Sequence, residues 1–217
     1  MRLTREEMRN ALRLYAVTDR RWLRDDQNFI EVVDSVLESG ATLLQIREKD
    51  LDDADLIDEA RELKKVCDSH GVPCIVNDRV EAALAADADG VHVGQSDLLG
   101  RDIRAMIGPD RILGITARTV EQAKAAEAAG ADYIGTGAVF GSSTKKDARD
   151  MPVEEFRKIA DAVSIPVVAI GGINAGNVQR LRGCGAAGIA VASGIFHSED
   201  PGSAASELRA LADQLFG

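Results

Sequence analysis

Eight short apolar, β-branched runs punctuate the chain, at 14–17, 43–46, 74–76, 91–93, 112–115, 133–135, 167–170 and 189–191. Their continuous apolar character, with no polar alternation, marks strands covered on both faces. Between them lie Ala/Glu/Leu-rich stretches with helical spacing, such as ADLIDEARELKKVCDSHG and TVEQAKAAEAAG. Strand alternating with helix predicts parallel βα units. The segments SGATLLQ, AADADGVHVG, AGADYIGTG and CGAAGIAVAS lead into the second, fourth, sixth and eighth runs. Glycine in such a place ends a helix by taking the left-handed conformation. Eight evenly spaced units in 217 residues, with no linker or shift of composition, predict one (β/α)8 barrel over 1–217. An open doubly wound sheet is the competing arrangement. Residues 1–13 carry an amphipathic pattern through Leu3, Met8 and Leu12, which predicts a short leading helix with a packing role.

Composition narrows the function classes. The chain is 45% hydrophobic and 29% charged, ordinary for a soluble globular protein. A net charge of −10 speaks against nonspecific binding of nucleic acid or an anionic membrane. Any anion site must therefore be a local basic cluster. Cys67, Cys74 and Cys184 are odd in number and lack metal-ligand spacing, so reduced thiols are expected, two of them in the core. The opening MRLTREEMRN is charged and without a long apolar run, and no run of ~18 apolar residues occurs; the expectation is a cytoplasmic protein.

In such a barrel the chemistry gathers where the strands end. The predicted strand ends carry Thr18 and Asp19; Gln45, Arg47, Glu48 and Lys49; Asn77 and Asp78; Gln95 and Asp97; and Thr116. The sixth opens into VFGSSTKKDARDM, rich in small hydroxyls and amines. Gly171-Gly172 and Ala192-Ser193-Gly194 follow the seventh and eighth strands, where backbone amides can approach a phosphate. Ser142, Ser143 and Thr144 add hydroxyls beside them, and Arg47, Lys49 and Lys145 suit a second, more highly charged anion. Asp78 and Asp97 follow adjacent strands, and two carboxylates facing cations suggest Mg²⁺ carrying a diphosphate. Helix N-capping is the competing role for either aspartate. No Ser or Cys nucleophile stands beside a rim histidine. His70 and His197 lie elsewhere, and His92, inside the fourth strand, reads as a satisfied core residue. Loss of diphosphate suits this inventory, because it needs electrostatic stabilisation and no strong base.

The segments YAVTD, LLQIREKD, IVNDR, GVHVGQSD, YIGTGAVFGSSTKKDA, VVAIGGI and GIAVASGI resemble the thiamine phosphate synthase family, in its order and over nearly the whole chain. The resemblance implies condensation of a hydroxymethylpyrimidine diphosphate with a thiazole phosphate to thiamine phosphate and pyrophosphate. It implies a dissociative path, in which diphosphate leaves, a pyrimidine-stabilised carbocation forms and the thiazole nitrogen attacks. By the same resemblance Gln45, Ile46, Arg47, Glu48, Lys49 and Asn77 would meet the pyrimidine diphosphate, with Thr116 standing where the family usually has serine. Asp78 and Asp97 would hold Mg²⁺. Ser142 and Thr144, with Gly172, Ala192 and Ser193, would take the thiazole phosphate, and Lys145 would join Arg47 and Lys49 on the diphosphate as catalytic cations. The sixth-strand loop departs from the family in lacking both its prolines, which predicts a more mobile loop. The implied partners are small phosphorylated substrates, with assembly as a homo-oligomer left open. A thiazole tautomerase paralogue and a non-catalytic precursor-binding barrel are the rivals, and neither needs the metal–diphosphate residues.

Overall fold

A computed structural model of the chain describes residues 3–98, 100–141 and 151–217. Eight strands form a closed parallel barrel in sequence order: β1 Leu14–Val17, β2 Leu43–Ile46, β3 Cys74–Asn77, β4 Gly90–Val93, β5 Ile112–Thr116, β6 Tyr133–Gly137, β7 Val167–Ile170 and β8 Gly188–Val191. β1 pairs with β8 through Tyr15 opposite Ala190, which closes the ring. β3, β5 and β6 run on past the apolar positions that signal them, through Asn77, Thr116 and Gly137. At Asn77 and Thr116 the apolar run ends because the cavity side becomes polar, and in β6 it ends at glycine and at Thr136, which is buried and donates to Ala117 O, so pattern alone stops short.

Alternation along each strand separates two cores. Leu14, Ala16, Leu44, Ile46, Val76, Leu113 and Ile115 point outward and pack under the helices. Tyr15, Leu43, Ile75, Ile112, Tyr133 and Val168 point inward and fill the barrel. Each fully buried apolar side chain of this size contributes about 1.5–3 kcal/mol relative to exposure. The leading helix α1, Arg5–Ala11, starts in a capping box between Thr4 and Glu7. Its Met8, with Leu12, joins the inner cluster. This plug sits at the N-terminal end of the strands, since a Cβ on Gly188 would lie 1.9 Å from the Leu12 carbonyl oxygen.

The outer helices are α2 Phe29–Glu38, α3 Asp53–His70, α4 Val80–Ala85, α5 Ile103–Ile107, α6 Val120–Ala128, α7 Val153–Asp161, α8 Ser193–Phe196 and α9 Pro201–Phe216. After β7 the described chain makes only a 3-10 turn, Val178–Leu181, and α8 is a short extra helix before α9. Gly40, Gly130 and Gly185 take positive φ at three of the four glycine-marked exits. At the fourth the left-handed residue is Asp87, φ 53°. Gly90 there begins β4, where a Cβ would lie 2.2 Å from the Ile112 carbonyl oxygen. All three cysteines are unbridged and buried, one more in the core than the sequence suggests. No described helix is long and apolar enough to cross a membrane.

Candidate functional site

A cavity of about 360 Å³ opens among the strands and the loops that follow them. Gln45 and Arg47 from the β2 end, Asn77 and Asp78 from the β3 end, and Thr116 from β5 line one side. Gly171 and Gly172 after β7, with Ala192 and Ser193 after β8, line the other. These side chains come from distant parts of the sequence and meet because parallel strands end on one rim. Ser142, Ser143, Thr144 and Lys145 lie outside the described residues. The described chain on either side of them is nonetheless fixed at this rim. Val139 N donates to Ile170 O at 3.0 Å and Phe140 N to Gly171 O at 3.0 Å. Met151 N donates to the carbonyl of Ala138, a cavity residue, at 2.7 Å.

Strand alternation divides the 45–49 segment. Gln45 faces into the barrel, so Ile46 faces out and is buried against the helices. Arg47 returns to the cavity, and Glu48 turns away again. Glu48 is buried and accepts from Arg20 Nε at 3.0 Å and Thr18 Oγ1 at 3.3 Å. Burial pushes its carboxyl up, and neighbouring Glu59 adds to this against the pull of Arg20. Glu59 is raised too, again chiefly by burial. Glu48 thus props the loop from below: Thr18 links it to the chain by accepting from Arg47 N at 2.8 Å. Lys49 is exposed and does not line the cavity.

The aspartates do not cap helices. The N-cap of α4 is Arg79, and that of α5 is Asp102. Asp78 lines the cavity with φ 62°, a conformation Asp tolerates better than most residues but at a cost of about 1 kcal/mol or more. Its N–H donates to His92 O at 2.8 Å, which joins the β3 exit to β4. Asp97 is half-buried on the next loop, and its Oδ2 accepts from Gly94 N at 2.8 Å. Two carboxylates on adjacent strand exits are hard oxygen donors of the kind Mg²⁺ takes while keeping waters and phosphate oxygens in its shell. On the opposite wall Gly171 and Gly172 have φ 105° and 64°. A Cβ on Gly172 would sit 2.2 Å from the Phe140 carbonyl oxygen, so the turn has room for backbone only.

Several cavity residues escape sequence reasoning. Arg118, just past β5, lines the cavity, and its Nε donates to Gly137 O at 2.8 Å. Tyr15 lies on the cavity floor. It belongs to a buried chain of polar contacts across the barrel: Gln45 to Tyr15, Tyr15 to Tyr133 at 2.8 Å, Tyr133 to His92 Nδ1 at 2.8 Å, and His92 Nε2 to Thr116 Oγ1 at 2.9 Å. His92 is buried and hydrogen-bonded at both ring nitrogens, as its strand position suggests, yet it also lines the cavity. The glycines in β5 and β6 are the overlooked signal. A Cβ on Gly114 would lie 2.2 Å from Tyr133 Cζ and 2.5 Å from His92 Nδ1, and one on Gly135 would lie 2.9 Å from His92 Cε1.

Comparison with known proteins agrees with this geometry. A profile of the thiamine monophosphate synthase family matches residues 14–195. The chain is 46% identical to the thiamine-phosphate synthase of Clostridium beijerinckii, over 90% of this chain and 93% of that protein. It is 48% identical to that of Ruminiclostridium cellulolyticum, over 90% and 92%. Among solved structures, the thiamine phosphate pyrophosphorylase of Pyrococcus furiosus superposes with a TM-score of 0.88 at 39% identity, covering 97% of this chain and all of that one (100%).

Proposed function

The chain belongs to the thiamine monophosphate synthase family, a pyrophosphate-releasing transferase of thiamine biosynthesis, and we propose that its rim cavity holds both phosphorylated substrates at once. The observation that carries this reading is the division of one cavity into two walls of different chemistry. One wall has Arg47, Asn77, Asp78 and Thr116; the other is a glycine turn with Ala192 and Ser193. The first suits a diphosphate and the second a phosphomonoester.

On the first wall, Arg47 grips diphosphate oxygens and neutralises charge as the diphosphate leaves. Lys145 is the proposed further cation of that site, and Lys49, exposed and outside the cavity, adds positive charge from its edge. Asp78 and Asp97 would hold Mg²⁺, which supplies Lewis-acid stabilisation of the leaving group when bound. Gln45, with the backbone around Ile46 and Glu48, orients the pyrimidine. On the second wall, Gly172, Ala192 and Ser193 turn backbone N–H groups toward the thiazole phosphate, joined by Ser142, Ser143 and Thr144. The thiazole nitrogen carries no proton to lose, so the attack needs no general base. The barrel interior below is packed, which limits water near a carbocation. The cytoplasm is the expected setting for such a biosynthetic step.

Calorimetric titration tests the two-wall reading. Inorganic pyrophosphate with Mg²⁺ and the thiazole phosphate are expected to bind together, one of each per chain. Gly172→Ala is expected to weaken the thiazole phosphate alone. Mutual exclusion of the two ligands contradicts the reading.

A further inference from the structure

The contacts joining Gln45 to Thr116 admit a proton-by-proton account. Tyr15 Oη lies between Gln45 Nε2 and Tyr133 Oη, Tyr133 Oη lies between Tyr15 and His92 Nδ1, and His92 Nε2 reaches Thr116 Oγ1. Both phenols are fully buried, and burial pushes both well up, so each keeps its single proton at neutral pH. An amide nitrogen only donates. Gln45 Nε2 therefore donates to Tyr15, which leaves the Tyr15 proton available to Tyr133. Tyr133 then gives its proton to His92 Nδ1, which makes Nδ1 an acceptor. A neutral imidazole carries its one proton on the other nitrogen, and Nε2–H donates to Thr116 Oγ1. The Thr116 hydroxyl proton is not used in this chain.

We infer that this buried chain is polarised from Gln45 toward Thr116, holds His92 as the neutral Nε2–H tautomer, and so makes the Thr116 hydroxyl a donor into the cavity. The reverse polarity is also self-consistent, since either tyrosine can be the donor in the Tyr15–Tyr133 contact. It needs Nδ1–H on His92, the Thr116 proton given to Nε2, and either the Gln45 amide turned over or the Tyr15 proton turned into the cavity that Tyr15 lines. Thr116 would then present lone pairs to the cavity, which repel an anion. An anionic ligand thus selects the polarity that ends in a Thr116 donor, and the Gln45 orientation is compatible with it. Each donor in a series strengthens the next, so the last hydroxyl is a better donor than an isolated threonine. Gly114 and Gly135 support a dedicated arrangement, since a side chain at either position would enter the space of Tyr133 or His92. Tyr15, Tyr133 and His92 act here as positioning residues. The inference rests on the reading that Thr116 meets the diphosphate.

The test begins with the unaltered protein. Nitrogen NMR of protein labelled with 15N-histidine distinguishes the two neutral tautomers and the imidazolium. The chain has three histidines, and His70 and His197 are exposed. His70→Gln and His197→Gln therefore identify the His92 signals without disturbing the barrel. The expected pattern is a protonated Nε2 and an unprotonated Nδ1. Tyr133→Phe is expected to abolish that preference and to weaken pyrophosphate binding in Mg²⁺ roughly tenfold, close to the effect of Thr116→Val. Thr116→Ser should restore what Thr116→Val loses, and adding Tyr133→Phe to Thr116→Val should cost little more. An Nδ1–H or imidazolium pattern in the unaltered protein overturns the polarity, whatever the binding data show. An Nε2–H pattern with pyrophosphate binding unchanged in Thr116→Val overturns instead the placement of Thr116 at the diphosphate.

Discussion

Gly114→Ala isolates the steric demand of the buried polar chain. The added Cβ would lie 2.2 Å from Tyr133 Cζ and 2.3 Å from its Oη. Carbon atoms in contact sit about 3.5–4.0 Å apart, so the ring must move by roughly 1.3 Å or more. Tyr133 is fully buried, and its hydroxyl bonds Tyr15 and His92 at 2.8 Å each. A shift of that size along a contact is enough to take a 2.8 Å hydrogen bond out of range. Two lost hydrogen bonds at about 1 kcal/mol each, with about 1–3 kcal/mol for overpacking, give about 3–5 kcal/mol. For a chain of this length the melting temperature falls by about 6–20 °C. Gly71→Ala is the contrasting variant. Nothing lies within 4 Å of its Cβ, but its φ is 66° at the C-cap of α3. Its cost is conformational, about 1–2 kcal/mol. Scanning calorimetry of both variants is the assay. A Gly114→Ala protein that melts within about 2 °C of the parent refutes the steric argument, given about 2–4 °C per kcal/mol.

Other consequences are as direct. Arg47→Met should lower kcat/KM for the pyrimidine diphosphate by about a hundredfold, the scale of one lost transition-state donor. Lys49→Met should lower it less, because Lys49 stands outside the cavity; equal losses contradict that ranking. Glu48 and Glu59 both have carboxyls raised above the usual value by burial, so the folded chain binds their protons more tightly than the unfolded chain. Their contribution to stability is therefore greatest at acid pH and declines as pH rises from about 4.5 through the raised values. Glu59→Gln should flatten the fall of the urea midpoint as pH rises above about 4.5, and an unchanged slope contradicts it.

The strands were legible because both their faces are covered, which leaves β-branched runs with little else to mimic. Rim residues were legible because they follow those runs directly, as Asp78 follows Asn77 and Ala192 follows Val191. What pattern reading misses is the alternation at the exit. Gln45 and Arg47 enter the cavity while Ile46 and Glu48 turn outward, because a period of two governs the last strand residues. Tyr15 and Tyr133 read as core, which they are by burial. That their hydroxyls meet depends on two strands across the barrel from each other. The left-handed Asp87 and the 3-10 turn after β7 were hidden for a local reason. The nearby Gly90 masks the first, and Val178 and Leu181 keep the burial of a longer helix in the second. Arg118 has no neighbour in sequence that marks it as more than a surface charge.

The rim is proposed to carry out metal-assisted loss of diphosphate from one substrate and its capture by the other. The most direct measurement is pyrophosphate release with both substrates, with and without Mg²⁺, beside Asp97→Asn. That variant keeps an oxygen able to accept from Gly94 N and removes the charge. Pyrophosphate and thiamine phosphate formed in equal amounts, only with Mg²⁺, and lost in Asp97→Asn, are the predicted result. Full activity after metal removal, or in Asp97→Asn, would contradict it.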